Sequence, residues 1–308
     1  MSLKEINTLL IRMPQVHSIM DSFFYLIIFA GAVAGASTGF LGVYIVGMRM
    51  PFIGTCISHA AMAGTIFSCL LGINPVMGAI VFSVLSAMSM AAIPPEKSRL
   101  DTNVGLAILF SFLLGLTFLG IGLMENSRSE ILGLLWGSIL FVQKESVIAI
   151  TVIALLVAIF AILFNKEMKV LLFSRSIASA TGVHEGFVYC LFLALCGIAI
   201  SVNLQIVGGL MIFSLITNPA AAAYQICRGH KAVVITSTIF GVLSTVLGFM
   251  ISFWLDLPTG ACIVLVSTLI FAFSAAHRIF LKGRFFCHSE ESGLHFSQRQ
   301  RRKGEKLK

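Results

Sequence analysis

No aspartate or glutamate lies inside a long hydrophobic run of this chain: all thirteen acidic residues fall at the ends of the runs or between them. Proton-driven carriers relay protons through intramembrane acids, so the absence argues against that class. Sodium coupling stays open, since it can use carbonyls and hydroxyls. The sequence also lacks a GxxxxGK[ST] phosphate loop, so any ATP hydrolysis belongs to another polypeptide. Seven cysteines show no CxxC pair, which excludes a zinc ribbon or a redox pair of that kind. Within the hydrophobic runs there is one histidine with scattered cysteines, too few groups for the converging acid, base and nucleophile that a membrane enzyme needs. Residues 1–22 lack a small-residue cleavage site after a basic apolar stretch, and are read as a surface segment rather than a removable signal.

What is present is apolar surface. With 308 residues, 58% hydrophobic and 11% charged, and a mean hydropathy of +0.99, the chain has more apolar surface than a soluble domain can hide. The expected fold is therefore all-α, a polytopic transmembrane bundle of about eight to nine spans. Crossing the hydrocarbon takes roughly 20 apolar residues, and the runs near 23–46, 53–72, 75–94, 103–124, 146–164, 187–203, 206–226, 232–254 and 258–276 qualify as nine crossings. The stretch from Ile131 to Val142 is too short to span and suits a re-entrant segment. Residues 23–280 are the expected transmembrane domain, and 281–308 a basic tail expected to be disordered.

A net charge of +8 would point to nucleic acid in a soluble protein, but here it reads through topology and no nucleic-acid partner is expected. With nine crossings, one side carries Arg49, Lys97, Arg99, Lys166, Lys169, Arg175, Arg228 and Lys231, followed by nine basic residues from Arg278 onward. The other side keeps only Lys4, Arg12, Arg128 and Lys144. The positive-inside rule places the richer side, with the C-terminus, in the cytoplasm. The tail is expected to meet lipid head groups. A metal site built from its Cys287, His288, Glu290, Glu291 and His295 is a weaker reading, because their spacing matches no strict site.

The stretch from Ile53 to Gly64 holds the readily ionisable side chain lying well inside a run, His59. Such groups are costly in hydrocarbon and persist where they face a cavity, a partner or a ligand. Thr55 and Cys56, four and three residues earlier, address the same helix face, so a hydroxyl, a sulfur and a nitrogen come together. A histidine hydrogen-bonded to a carbonyl for packing alone is the alternative.

Elsewhere the residues speak of architecture. Gly31, Gly35 and Gly39 give the first span a smooth ridge for close helix approach, expected to pack on the Ala60, Ala63 and Gly64 face of the second. Asn218 and Pro219 mark a kink, where the proline frees a carbonyl that Asn218 can bond, or where Asn218 lines a pathway. In the long link from Lys166 to Glu185, residues 174–183 look like a short helix stopping at Gly182. Docking onto a partner protein and a solvated connector are both open for it.

Several segments, in order, resemble a known family: Gly39 to Tyr44 with Arg49 to Phe52, Ser58-His59-Ala60 with Gly64, Asp101-Thr102 with Gly105, and Leu135 to Leu140. Ala178 with Thr181 to Val183, Val207 to Met211, Pro219 to Ala221 and Leu257 to Gly260 complete the pattern. The chain is similar through them to the permease subunits of bacterial ATP-binding-cassette importers for zinc, manganese and iron. The resemblance implies an inner-membrane subunit that carries a divalent metal ion as cargo and binds no permanent cofactor. It also implies a second permease subunit, like or unlike, cytoplasmic ATPase subunits and an extracytoplasmic metal-binding protein. Ser174, Arg175, Ala178, Thr181 and Gly182 would couple to the ATPase, and the His59 helix would line the metal path. Two positions depart from the family pattern. Thr55 stands where an aspartate is usual, which disfavours manganese, while Cys56 with His59 suits zinc. Arg175 stands where an acid is frequent near the coupling segment. A larger cargo such as a siderophore or cobalamin, or a non-transporting membrane partner, is the alternative.

Overall fold

The computed structural model describes residues 3–92, 102–124, 144–173, 185–209 and 212–280. The re-entrant stretch 131–142, the coupling residues Ser174, Arg175, Ala178, Thr181 and Gly182, and the tail 281–308 lie outside these residues. A backbone in hydrocarbon must bond to itself, and every regular element described is accordingly a helix. They are α1 Leu3–Gly47, α2 Phe52–Leu70, α3 Pro75–Ala92, α4 Thr102–Leu123, α5 Lys144–Leu163, α6 Asn165–Phe173, α7 Glu185–Val207, α8 Ile212–Ile226, α9 His230–Leu255 and α10 Thr259–Phe280. Seven of these reach the length and hydropathy of a full crossing, with Phe24–Gly47 the apolar part of α1.

α3 and α8 are shorter. The expected crossing at 206–226 is corrected in one respect: Val207 ends α7, and the chain breaks its helix before α8 begins at Ile212, leaving 15 residues. Gly208 takes φ +90°, a conformation that a Cβ disfavours, and Gly209 follows against α2. The apolar run is continuous in sequence, so hydropathy reads through a break that backbone geometry makes. Tight turns elsewhere follow local chemistry: Arg49 at φ +59° and Pro51 at φ −60° reverse the chain between α1 and α2. Ser252 caps the α9 end, donating to the Leu257 carbonyl at 2.6 Å and lying 2.9 Å from the Thr259 hydroxyl.

α2 is the axis of the bundle, with 78% of its apolar window buried, against 22% for each of α4 and α5. Its length is no greater than theirs; what differs is that α3, α4 and α7 all pack around it. α3 meets it where Gly64 faces the Gly78 backbone, and α4 where the Cys56 thiol donates to the Leu106 carbonyl at 3.1 Å. α3 in turn meets α7 through the Ser83 and Ser201 hydroxyls, 2.7 Å apart. Small residues set these distances because lipid gives helices no hydrophobic reason to associate.

The ridge on α1 packs on a different helix from the one expected. Gly35 and Gly39 lie against Gly241 and Ser237 of α9, and Ser237 donates to the Gly39 carbonyl at 2.6 Å. Gly42 continues the ridge onto α8 at the Ile216 carbonyl. Meanwhile the smooth side of α2 at Gly64 is taken by α3. Residue size marks a face as approachable, but two smooth faces do not have to meet each other.

Candidate metal site

On α2, Ser58 and Thr65 turn their hydroxyls back to the carbonyls of Gly54 and Ala61, at 2.7 and 2.9 Å. This is the ordinary fate of a hydroxyl in an apolar helix. Thr55 behaves otherwise, because its buried Oγ1 has no hydrogen-bond partner. One turn on, His59 is 6% exposed and its Nδ1 is also buried without a partner. An unpaired buried polar atom costs about 1–3 kcal/mol. The two lie at i and i+4 on one helix face.

The ring of His59 is held by α4: the Phe110 ring meets it edge-on, with centroids 4.8 Å apart at 84°. Cys56 also faces α4, where its thiol is engaged with the Leu106 carbonyl. The three residues expected together are thus on one side of α2, but in different states. Thr55 and His59 have free donor atoms, and Cys56 has its S–H occupied. Among the described residues no carboxylate joins them, and no three His, Cys, Asp or Glu side chains gather as a metal-binding group.

The remaining expected residues are set apart from this face. Asn218 donates its amide to the hydroxyls of Ser267 and Thr268 on α10, each at 3.0 Å. It thereby ties α8 to α10, while Ile216, two residues away and so on the opposite side of α8, packs against Gly42 of α1 and Gly54 of α2. Pro219 is buried inside α8.

Met62 is a neighbour that sequence reasoning passed over. Three residues beyond His59, it is buried with Ala61, Ile66, Ala79, Met124 and Leu204 in a small apolar cluster separate from the main core. A Cβ placed on Gly209 would come to 2.5 Å from the Met62 sulfur, so the α7–α8 break is fitted against this side chain. The available signal was the pair Gly208-Gly209, an interruption within an apolar run.

Known proteins are similar to this chain over most of the bundle. The model of the ABC 3 transport family matches residues 20–278. The manganese transport system membrane protein MntC of Listeria monocytogenes is 28% identical over 281 residues, covering 91% of this chain and 95% of the relative. The high-affinity zinc uptake system membrane protein ZnuB of Haemophilus influenzae is 26% identical over 249 residues, covering 80% and 95%. Among solved structures, PsaBC from Streptococcus pneumoniae in complex with Fab superposes with a TM-score of 0.75 at 26% identity, over 87% of this chain and 99% of that one. Over residues 20–278, from within α1 into α10, this chain belongs to the ABC 3 transport family.

Proposed function

We propose that this chain is the permease subunit of an ATP-driven importer that moves a divalent transition-metal ion inward across the bacterial inner membrane. The observation that carries the reading is the pair of unpartnered buried atoms, Thr55 Oγ1 and His59 Nδ1, on the most buried helix of the bundle. Family membership supports it, as do relatives named for manganese transport and for zinc uptake. A transit site has to be weak, because an ion held by a full ligand set would not leave. Two neutral donors from one chain meet that need, and a second permease subunit would add its own.

The donors also rank the cargo. Imidazole suits zinc, whereas manganese favours oxygen ligands, carboxylates above all. With no acid on this face, zinc is the preferred ion. Cys56 would join it by giving up its bond to Leu106 and its proton, since the thiolate is the ligand form. In the working cycle, separate cytoplasmic ATPase subunits bind ATP and draw together, rocking two permease subunits between inward and outward access. An extracytoplasmic binding protein delivers the ion, and residues 174–183 receive the ATPase on the side rich in Lys and Arg. Apart from the Cys56 proton, which would pass to water shed by the arriving ion, the chain makes and breaks no covalent bond in this scheme.

The test is radiometal uptake by vesicles holding the assembled complex, with zinc-65 and manganese-54, comparing the unaltered chain with His59→Ala. ATP-dependent zinc entry that the variant loses, with assembly retained, is the expected result. Normal uptake by the variant removes His59 from the path.

A further inference from the structure

At the end of the bundle where α8 and α10 finish and α9 begins, an open crevice of about 720 Å³ runs between these helices. Its lining is mostly apolar, from Ile226, Phe240, Ile270, Phe273, Ala276 and Phe280, with Ser274 and His277 the polar members. From Ile270 to Phe280 the α10 wall rises about 15 Å, at 1.5 Å per residue. That is the depth of one leaflet of a hydrocarbon core about 30 Å thick. The depth suits an acyl chain entering from the membrane surface.

Charge at the mouth has one sign. Arg278 is exposed and donates to the Gln225 side chain at 2.5 Å, a neutral acceptor that leaves its charge uncompensated. Arg228 and Lys231 are exposed at the same end, in the α8–α9 link and the first turn of α9. Residues 225–240 and 265–280 contain no aspartate or glutamate to balance them. A basic rim over a one-leaflet apolar slot has a complementary ligand, since basic pockets between transmembrane helices on the cytoplasmic side take anionic lipid head groups. We propose that this crevice seats one anionic phospholipid, its phosphate against Arg278 and an acyl chain along Phe273 and Phe240. The bond to Gln225 orients the guanidinium, and ties the lipid to the junction of the three helices. Such a lipid would brace α8, the 15-residue helix that packs on α2 at Gly54.

The experiment uses the full chain in its complex, purified in mild detergent, with retained lipids counted by mass spectrometry after exchange into phosphatidylglycerol or phosphatidylcholine nanodiscs. The unaltered protein should keep about one phosphatidylglycerol per chain and little phosphatidylcholine. Arg278→Gln should lower retention roughly five-fold, the effect of one cation at a membrane surface. Ala276→Trp, which fills the slot, should abolish it, and Phe118→Trp on the exposed face of α4 should change nothing. Equal retention of the two lipids, or retention indifferent to both crevice variants, overturns the proposal. So does an Ala276→Trp protein that keeps its lipid but loses an oligomeric contact, because the crevice would then hold a second copy of the chain.

Discussion

The seam between α1 and α9 can be tested by adding a single methyl group. A Cβ on Gly241 would press on the Gly35 carbonyl oxygen, 3.0 Å from the carbonyl carbon and 3.3 Å from the Gly39 Cα. All of these are backbone atoms, which cannot swing aside. The helices would have to part, weakening dispersion along the seam and stretching the Ser237 bond to Gly39. Overpacking of this kind costs about 1–3 kcal/mol. Replacing glycine by alanine in a helix also returns up to about 1 kcal/mol, so Gly241→Ala should lose about 0–2 kcal/mol net. Gly115 on α4 supplies the control, because nothing lies within 4 Å of its Cβ position. Gly115→Ala keeps the helix gain without the clash, and the difference between the two variants isolates the cost of the seam. On the scale of soluble domains, a difference of about 2 kcal/mol separates melting temperatures by about 4–8 °C. The assay is thermal loss of the monodisperse peak on size-exclusion chromatography in one detergent. If Gly241→Ala melts together with Gly115→Ala, the seam is not close-packed and the reasoning fails.

Two other perturbations address the site. Thr55→Asp supplies the missing carboxylate, and should raise manganese uptake relative to zinc several-fold; an unchanged ratio in competing-metal uptake would show that position 55 does not set selectivity. Gly209→Ala should impair stability and uptake through its contact with Met62, and Met62→Ala in the same chain should recover part of the loss. Strictly additive melting shifts in this double-mutant cycle would separate the α7–α8 break from Met62.

Among the described residues, the seven helices long enough to cross and the shorter apolar α3 were legible in the sequence because crossing hydrocarbon demands long apolar runs, and long apolar runs leave little else to be read. His59 stood out for the same reason, since a titratable group is expensive there. Hydropathy did not reveal the break at Gly208, where the apolar run continues but the backbone leaves the helix at φ +90°. Nor did it give the partner of each glycine face: α1 packs on α9, and α2 on α3, because only the assembled bundle decides which smooth surfaces meet. Cys56, Thr55 and His59 form one row in the sequence. The tertiary structure divides them, satisfying the thiol with the Leu106 carbonyl of α4 and leaving the hydroxyl and the imidazole nitrogen unpaired. Which donor atoms exist is fixed by the sequence; which of them remain available depends on the neighbour that packing brings to each.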